Sequence, residues 1–426
     1  MKLILNKREL ALVAFTIFCF ISFQLTEIKF YNIKINELLA LLCLPFLLYN
    51  IKTLNKYVIY LLLFFCFLLI TTVIQNNFQT FYFDLDSLSI LRKPYFISIS
   101  RFLELISCLV FTVIVYKTVN YLRDNQVTLK VIINSVLLLN FYFALFLLFA
   151  SLFYYLNIFS YRESTIIYDT TPYLPTYTLR LRGYYVEGGP LGLMFAFLFC
   201  LSTLVNKKEY LQKSVFILII LLAQSKAGMI AVLGWLSFRF YRKFRHTKLM
   251  KYIIFLLVLP VFLFISYKIA SGYVITLKNF EQQLLDREKD ETLIMGRTAA
   301  IKIAPKMVAQ HPLLGIGLGN YSLVRNDPNY LNGMPPVQGW DLPGLGGLIT
   351  LLIENGIIGF TLFIYLLWQI YKRYAPFSLI SQDAIMIFCL ICLLGIQLQF
   401  LYIWFLIGLA LAAPDAIEEN VTHEQE

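Results

Sequence analysis

A few charged residues stand where an apolar chain has little reason to keep them. Leu179-Arg180-Leu181-Arg182-Gly183-Tyr184-Tyr185-Val186-Glu187-Gly188-Gly189-Pro190 sets two cations and a carboxylate just before an apolar run. Ser225-Lys226-Ala227-Gly228 sets an ammonium inside another, Gly296-Arg297-Thr298 opens a helical pattern, and Arg101 lies within a third apolar run. Ionisable groups in or near hydrocarbon cost about 2.5 to 3.5 kcal/mol each on insertion scales, so a set of them at one depth points to a ligand of opposite charge. Arginine fits phosphate oxygens because its planar fork binds them bidentately. Helix N-termini at Arg297 and near Glu187 would aim backbone N–H groups at the same anion. A diphosphate carried on a lipid suits this set. It also suits a leaving group, because fixed cations stabilise the charge that builds on a departing oxygen. Arg297 would then act on the reaction itself. The remaining need is a proton acceptor for an attacking sugar hydroxyl, for which Glu187 and Glu354 are the candidates.

Each of these residues also has a plainer reading. Arg101 and Glu104 stand at i, i+3 and can neutralise each other. Arg180 and Arg182 can be solvated loop charges, Lys226 can snorkel from a short helix end, and Arg297 can cap a surface helix. Glu187 and Glu354 can orient helices. No metal or other cofactor is expected: His246, His311 and His423 are the only histidines, and no carboxylate cluster has ligand spacing. His311 precedes Pro312 and reads first as a turn or cap residue, with a secondary claim to function. Gly315-Ile316-Gly317-Leu318-Gly319 neither follows a strand nor opens a nucleotide-binding unit, and reads as a flexible turn. Cys389 and Cys392 form a CxxC inside an apolar run, where packing is the expected role.

The elements that would position these groups follow from composition. Of 426 residues, 59 % are hydrophobic and 14 % charged, with a mean hydropathy of +0.72, which excludes an ordinary soluble protein. The net charge of +11 is scattered between apolar runs and forms no stripe that would track nucleic acid. All seven cysteines sit in apolar stretches, against a disulfide framework. Apolar runs long enough for a hydrocarbon core occur at Leu10 to Leu25, Ile35 to Tyr49, Tyr57 to Ile74, Phe96 to Tyr116, Val131 to Phe159, Val186 to Val205, Met250 to Ser271 and Leu345 to Trp368. Phe377 to Ala413 is too long for one span, and Gln397 and Gln399 near its middle predict a helical hairpin.

Ser214 to Phe240 carries the argument. Lys207, Lys208 and Lys213 precede it, and Arg239, Arg242, Lys243, Arg245, Lys248 and Lys251 follow it, so both flanks should lie inside. The segment must enter and return as two short helices of roughly 11 to 14 residues, lifting Gln224, Ser225 and Lys226 toward the outer side. The expectation is an all-α polytopic integral membrane protein of about twelve helices. It has one membrane domain over 1–413, outer loops at 160–185 and 272–343, and an acidic disordered cytoplasmic tail over 414–426. Lys2, Lys7 and Arg8 before the first apolar run resemble a signal peptide, but with no small-residue cleavage site the run reads as a retained helix. On this scheme Arg101, Arg180, Arg182, Glu187, Lys226 and Arg297 all reach the outer face.

The sequence resembles the O-antigen ligase and polymerase superfamily, integral membrane glycosyltransferases of bacterial polysaccharide assembly. The Arg-rich outer loop with its Glu-Gly-Gly-Pro helix start, Ser225 to Gly228, Gly296-Arg297, His311 to Tyr321 and Glu354-Asn355-Gly356-Ile357-Ile358-Gly359 carry the resemblance, over roughly Arg180 to Phe360. It departs in two places. Members usually carry Ser-Arg where this chain has Ser225-Lys226, and ligases share a His about eleven residues before the Gly at 356, where this chain has Leu345. A repeat-unit polymerase of O-antigen or capsule is therefore favoured over a ligase. The resemblance implies a GT-C-like fold in the bacterial inner membrane, with a periplasmic or exterior active site. Its substrates would be undecaprenyl-diphosphate-linked oligosaccharides as donor and acceptor, and a chain-length regulator protein is a further candidate partner. Residue by residue, it implies the diphosphate on Arg180, Arg182, Lys226 and Arg297, with Glu187 as base or acceptor-orienting group. From another class, a lipid-linked oligosaccharide flippase would also need about twelve helices and cations along a path; the chain lacks the matching repeats that transporters usually show.

Overall fold

The structure is a computed structural model. It describes residues 6–25, 28–30, 33–43, 45, 54–82, 88–156, 158–159, 164, 166–169, 179–205, 208–244, 297–331, 336 and 345–412. The expected span Met250 to Ser271 and the tail 414–426 lie outside these residues, as does about half of the two long loops between spans.

The described chain is built of helices. In order they are α1 (Lys7–Gln24), α2 (Ile35–Leu42), α3 (Lys56–Asn76), α4 (Phe96–Asp124), α5 (Leu129–Tyr155), α6 (Gly188–Val205), α7 (Tyr210–Leu222) and α8 (Lys226–Phe244). They continue with α9 (Arg297–Gln310), the single turns α10 (Tyr321–Val324) and α11 (Pro328–Leu331), α12 (Gly347–Tyr374), α13 (Leu379–Leu394) and α14 (Leu401–Leu411). Two antiparallel ribbons interrupt the helices: β1 (Lys29–Phe30) with β2 (Ile33–Lys34), and β3 (Ile167–Asp169) with β4 (Leu179–Leu181). These ribbons modify the all-helical expectation only at the bundle's end.

Five described helices, α3, α4, α5, α6 and α12, are long and apolar enough to cross a membrane. Capping side chains fix where several helices begin. Asn55 accepts from Tyr57 N at 3.0 Å, and Ser378 accepts from Ser381 N at 3.2 Å. α14 is buried along its whole length, and its Gly408 lies so close to α4 that a Cβ there would stand 2.6 Å from Val115. Such close approach is how helices associate where apolar lipid gives them no other reason to.

Interhelical hydrogen bonds fix which ends coincide. Asn55 donates to Tyr374 Oη at 2.6 Å, and its backbone N–H reaches Tyr116 Oη at 3.3 Å, so the start of α3, the C-terminal part of α4 and the end of α12 share one end. Arg242 on α8 binds Asp383 on α13 at 2.8 Å, with Arg239 at 3.8 Å, at that same end. The opposite end therefore holds the C-terminus of α3 and the N-termini of α4, α6, α8 and α12.

The expected doubling-back is present: α7 and α8 meet at Ala223-Gln224-Ser225, where Gln224 has φ +49°. The arms are unequal. α7 has 13 residues and α8 has 19, longer than expected, because the basic segment through Arg242 and Lys243 continues the helix. At 1.5 Å per residue, α8 rises roughly 28 Å and reaches the opposite end to meet Asp383. The other expected hairpin is also present, with α13 and α14 separated by a break that holds Gln397 and Gln399.

Candidate functional site

The α7–α8 turn is seated against β4 and the start of α6. Arg180 donates from Nε and Nη2 to the Ala223 carbonyl at 3.3 and 3.2 Å, and Gln224 Nε2 reaches Leu179 O at 3.5 Å. Gly188, the first residue of α6, lies so near that a Cβ would stand 2.5 Å from the Ala223 carbonyl oxygen. Ser225 donates to Gly189 O at 3.0 Å and accepts from Gly228 N at 3.1 Å, which starts α8. Gly192 and Gly228 let the two helices touch; a Cβ at Gly228 would stand 2.6 Å from Gly192 O.

This seating brings Arg180, Glu187 and Lys226 to one end of the bundle. Lys226 is exposed at the first residue of α8, and Glu187 is exposed one residue before α6. Arg182 diverges: its Nη2 donates to Ser164 O at 3.2 Å, tying the 164–169 segment to β4. Arg297 opens α9, and its side chain lies outside the described residues, as does Gly296. Arg101, near the same end, pairs with Glu104 at 2.6 Å, so the mutual neutralisation read from their spacing is present.

The Gly-rich segment behaves differently from a flexible turn. Residues 315–325 are buried, and 312–317 lie along the middle of α12. Ile316 N donates to Ile353 O at 3.2 Å, Gly317 N to Glu354 O at 2.7 Å, Ile357 N to Pro312 O at 2.8 Å and Ile358 N to Leu313 O at 3.2 Å. These bonds are available because α12 breaks at Gly356, with φ +61° and ψ −169°. A free carbonyl pair inside a helix needs an outside partner, and the loop supplies it. Gly315, Gly317 and Gly319 all have positive φ; at Gly315 a Cβ would also stand 2.5 Å from Glu354 O. The cost of a side chain there is steric, which a reading of the segment as a turn alone does not reveal.

Glu354 is buried beneath this loop, and its carboxyl accepts from the backbone N–H groups of Gly319 and Tyr321. That engagement makes it a loop-holding group and leaves Glu187 as the exposed carboxylate of the two. His311 accepts Gly315 N on its carbonyl at 3.1 Å, a turn role as expected, and its Nε2 lies 3.1 Å from Tyr330 Oη. Burial and the neighbouring Asp327 and Tyr82 push the Tyr330 phenol up to about 12, so it stays protonated.

Several residues here carry no local motif. Gln75 at the end of α3 donates to Leu314 O and Gly315 O at 3.0 and 2.8 Å, and Thr72 accepts from Leu318 N at 2.8 Å. Asn320 donates to Asn76 at 2.6 Å. Arg325 is wholly buried in the small core of α9 to α12. Lys34 lies 5.5 Å from the Phe400 ring, adding a cation at this end. A polar residue at the last turn of an apolar span is the only sequence signal for Gln75 and Asn76.

Residues 213–364 match the family described as O-antigen ligase, which places this part of the chain in the O-antigen ligase and polymerase superfamily. The match spans the hairpin, α9, the glycine loop and the broken helix α12. Together with the five spans it makes the chain a multi-pass membrane protein and supports an enzyme role of the ligase or polymerase type. No curated protein matches the chain.

Proposed function

We propose that the chain is a polysaccharide repeat-unit polymerase of the bacterial inner membrane, with its site toward the periplasm. The donor is a glycan on undecaprenyl diphosphate, and the acceptor is a sugar hydroxyl of a second lipid-linked glycan. One observation carries the proposal: the turn between α7 and α8, bound by Arg180, stands beside the exposed Lys226 and the exposed Glu187 at the head of α6.

In this reading Lys226, Arg180 and Arg297 hold the diphosphate, Arg182 being turned to Ser164, and the N-terminus of α8 adds its partial positive charge. The acceptor oxygen attacks the anomeric carbon as the bond to the diphosphate oxygen breaks. The hydroxyl proton passes to Glu187, and the leaving charge settles among the cations. Lys226 is held without reorganising, since Ser225 ties the start of α8 to Gly189 and Gly228.

A ligase of the same fold shares these features and differs in its acceptor. The polymerase reading is favoured by Leu345, which stands where ligases share a His and packs against the small core around Ile316 and Tyr321. An apolar residue used for packing there offers no proton chemistry. Purified protein given lipid-linked repeat units in detergent should yield longer glycans, where transport has no meaning. Transfer to lipid A core alone would instead establish the ligase, and no product with either acceptor would remove the transferase reading.

A further inference from the structure

A groove of about 450 Å³ runs along the exposed flank of α7, where that helix meets α6. Its lining is ordered by polarity. Tyr210, Lys213 and Ser214 form one end, Leu218 and Leu221 form the other, and Phe199 of α6 adds an apolar wall. The α7 residues recur at every third or fourth position and so share one helix face. From Tyr210 to Leu221 the helix rises about 16 Å, close to half of a hydrocarbon core about 30 Å thick. The groove is therefore as long as one leaflet.

Which leaflet it faces follows from its ends. Leu221 stands beside the α7–α8 turn. Lys213 lies toward the opposite end, since Ser202 near the end of α6 donates to the adjacent Gln212 at 2.6 Å. Arg239, which lies 3.8 Å from Asp383, also acts electrostatically on Lys213. The charged end of the groove thus opens at the Asp383 end of the bundle, and its apolar end points toward the candidate site.

This order matches an amphiphile whose charge lies at the Asp383 end and whose chain runs toward the middle of the bilayer. Lys213 Nζ is 5.7 Å from the Tyr210 ring, and Lys208 is exposed just before α7. Glu209, an exposed carboxylate beside them, opposes an anion, but Lys208, Lys213 and Arg239 outnumber it. Lysines at such a depth extend toward the interface, where anionic headgroups gather. A soluble anion has no use for an apolar trough of a leaflet's length. A lipid with its diphosphate at Lys226 would enter from the other end and lay its chain against the Lys213 ammonium.

We propose that this groove binds an anionic phospholipid of the leaflet opposite the candidate site, with its phosphate on Lys213 and Lys208 and one acyl chain along α7. The proposal is independent of the polymerase reading. The full-length protein in phosphatidylcholine vesicles can be probed with spin-labelled phosphatidylglycerol and spin-labelled phosphatidylcholine. It should immobilise the anionic label several-fold more than the neutral one. Lys213→Glu should bring that ratio down toward one, and Lys213→Arg should keep it. Ser214→Phe changes no charge but fills the trough, and should lower the ratio as well. Lys372→Glu makes an equal reversal at an exposed lysine of α12 at the same end, and should leave the ratio unchanged. Should Lys213→Glu fail to insert, Lys213→Gln and Ser214→Phe carry the test. An unchanged ratio in the Lys213 and Ser214 variants would overturn the proposal. Equal losses in Lys213→Glu and Lys372→Glu would overturn it too, by showing a general surface field. Displacement of the anionic label by polyprenyl diphosphate would assign the groove to that chain instead.

Discussion

Arg180 gives both Nε and Nη2 to one acceptor, the carbonyl oxygen of Ala223, at 3.3 and 3.2 Å. Two of its five N–H donors therefore hold the turn, and three remain for an anion. Arg180→Ala should abolish long-chain polysaccharide in a deletion strain while membrane abundance persists, and Arg297→Ala should do the same. Arg180→Lys keeps the charge and loses the fork, so it should fall between. Normal chain lengths in both alanine variants would remove the diphosphate assignment.

Lys226 tests charge alone. It is exposed at the first residue of α8, so Lys226→Arg should retain most activity, whereas Lys226→Glu should lose on the order of a hundredfold or more by repelling the diphosphate. Chain-length profiles from the two variants provide the measurement, and equal activity would argue against phosphate contact.

The glycine loop predicts a folding effect. Gly315→Ala would hold an L side chain at φ +71°, costing about 1 to 2 kcal/mol, and would drive its Cβ against Glu354 O. Thermal unfolding of the purified protein should show a lower Tm and lost glycan synthesis together. A Tm equal to that of the unmodified protein would mean that the loop is not docked on α12.

At the opposite end Arg242 and Arg239 compensate Asp383, whose side chain is fully buried. Arg242→Ala should destabilise by about 3 to 5 kcal/mol, because it leaves a buried charge short of its closer partner. Abundance should fall, while the transfer rate per folded molecule should stay unchanged. A changed rate per molecule would show that this clasp reaches the far end.

Tyr330 gives a pH signature. Its folded value of about 12 exceeds the ordinary 10.0, so the folded state holds the phenol proton more tightly than the unfolded chain does. The stabilisation is fully present below pH 10 and is lost as pH rises through about 12. Across that window the Tm of the unmodified protein should fall faster than that of Tyr330→Phe. Parallel curves would place Tyr330 in an ordinary solvated setting.

The sequence alone determined that the chain lives in a membrane, since 59 % hydrophobic composition leaves no alternative, and that Ser214 to Phe240 doubles back, since cations flank both its ends. Those are properties of runs along the chain, and hydropathy reads runs. The pairing of Arg101 with Glu104 was legible for the same reason, as one helical turn joins them. Tertiary structure decided what lies far apart in sequence: that Arg180 binds Ala223, that Gln75 holds Leu314 and Gly315, and that Glu354 engages the loop. The backbone break at Gly356 and the positive φ at Gly315 have meaning only against each other. A glycine in sequence is permissive of many conformations, and only the neighbour that excludes a Cβ selects the one it takes.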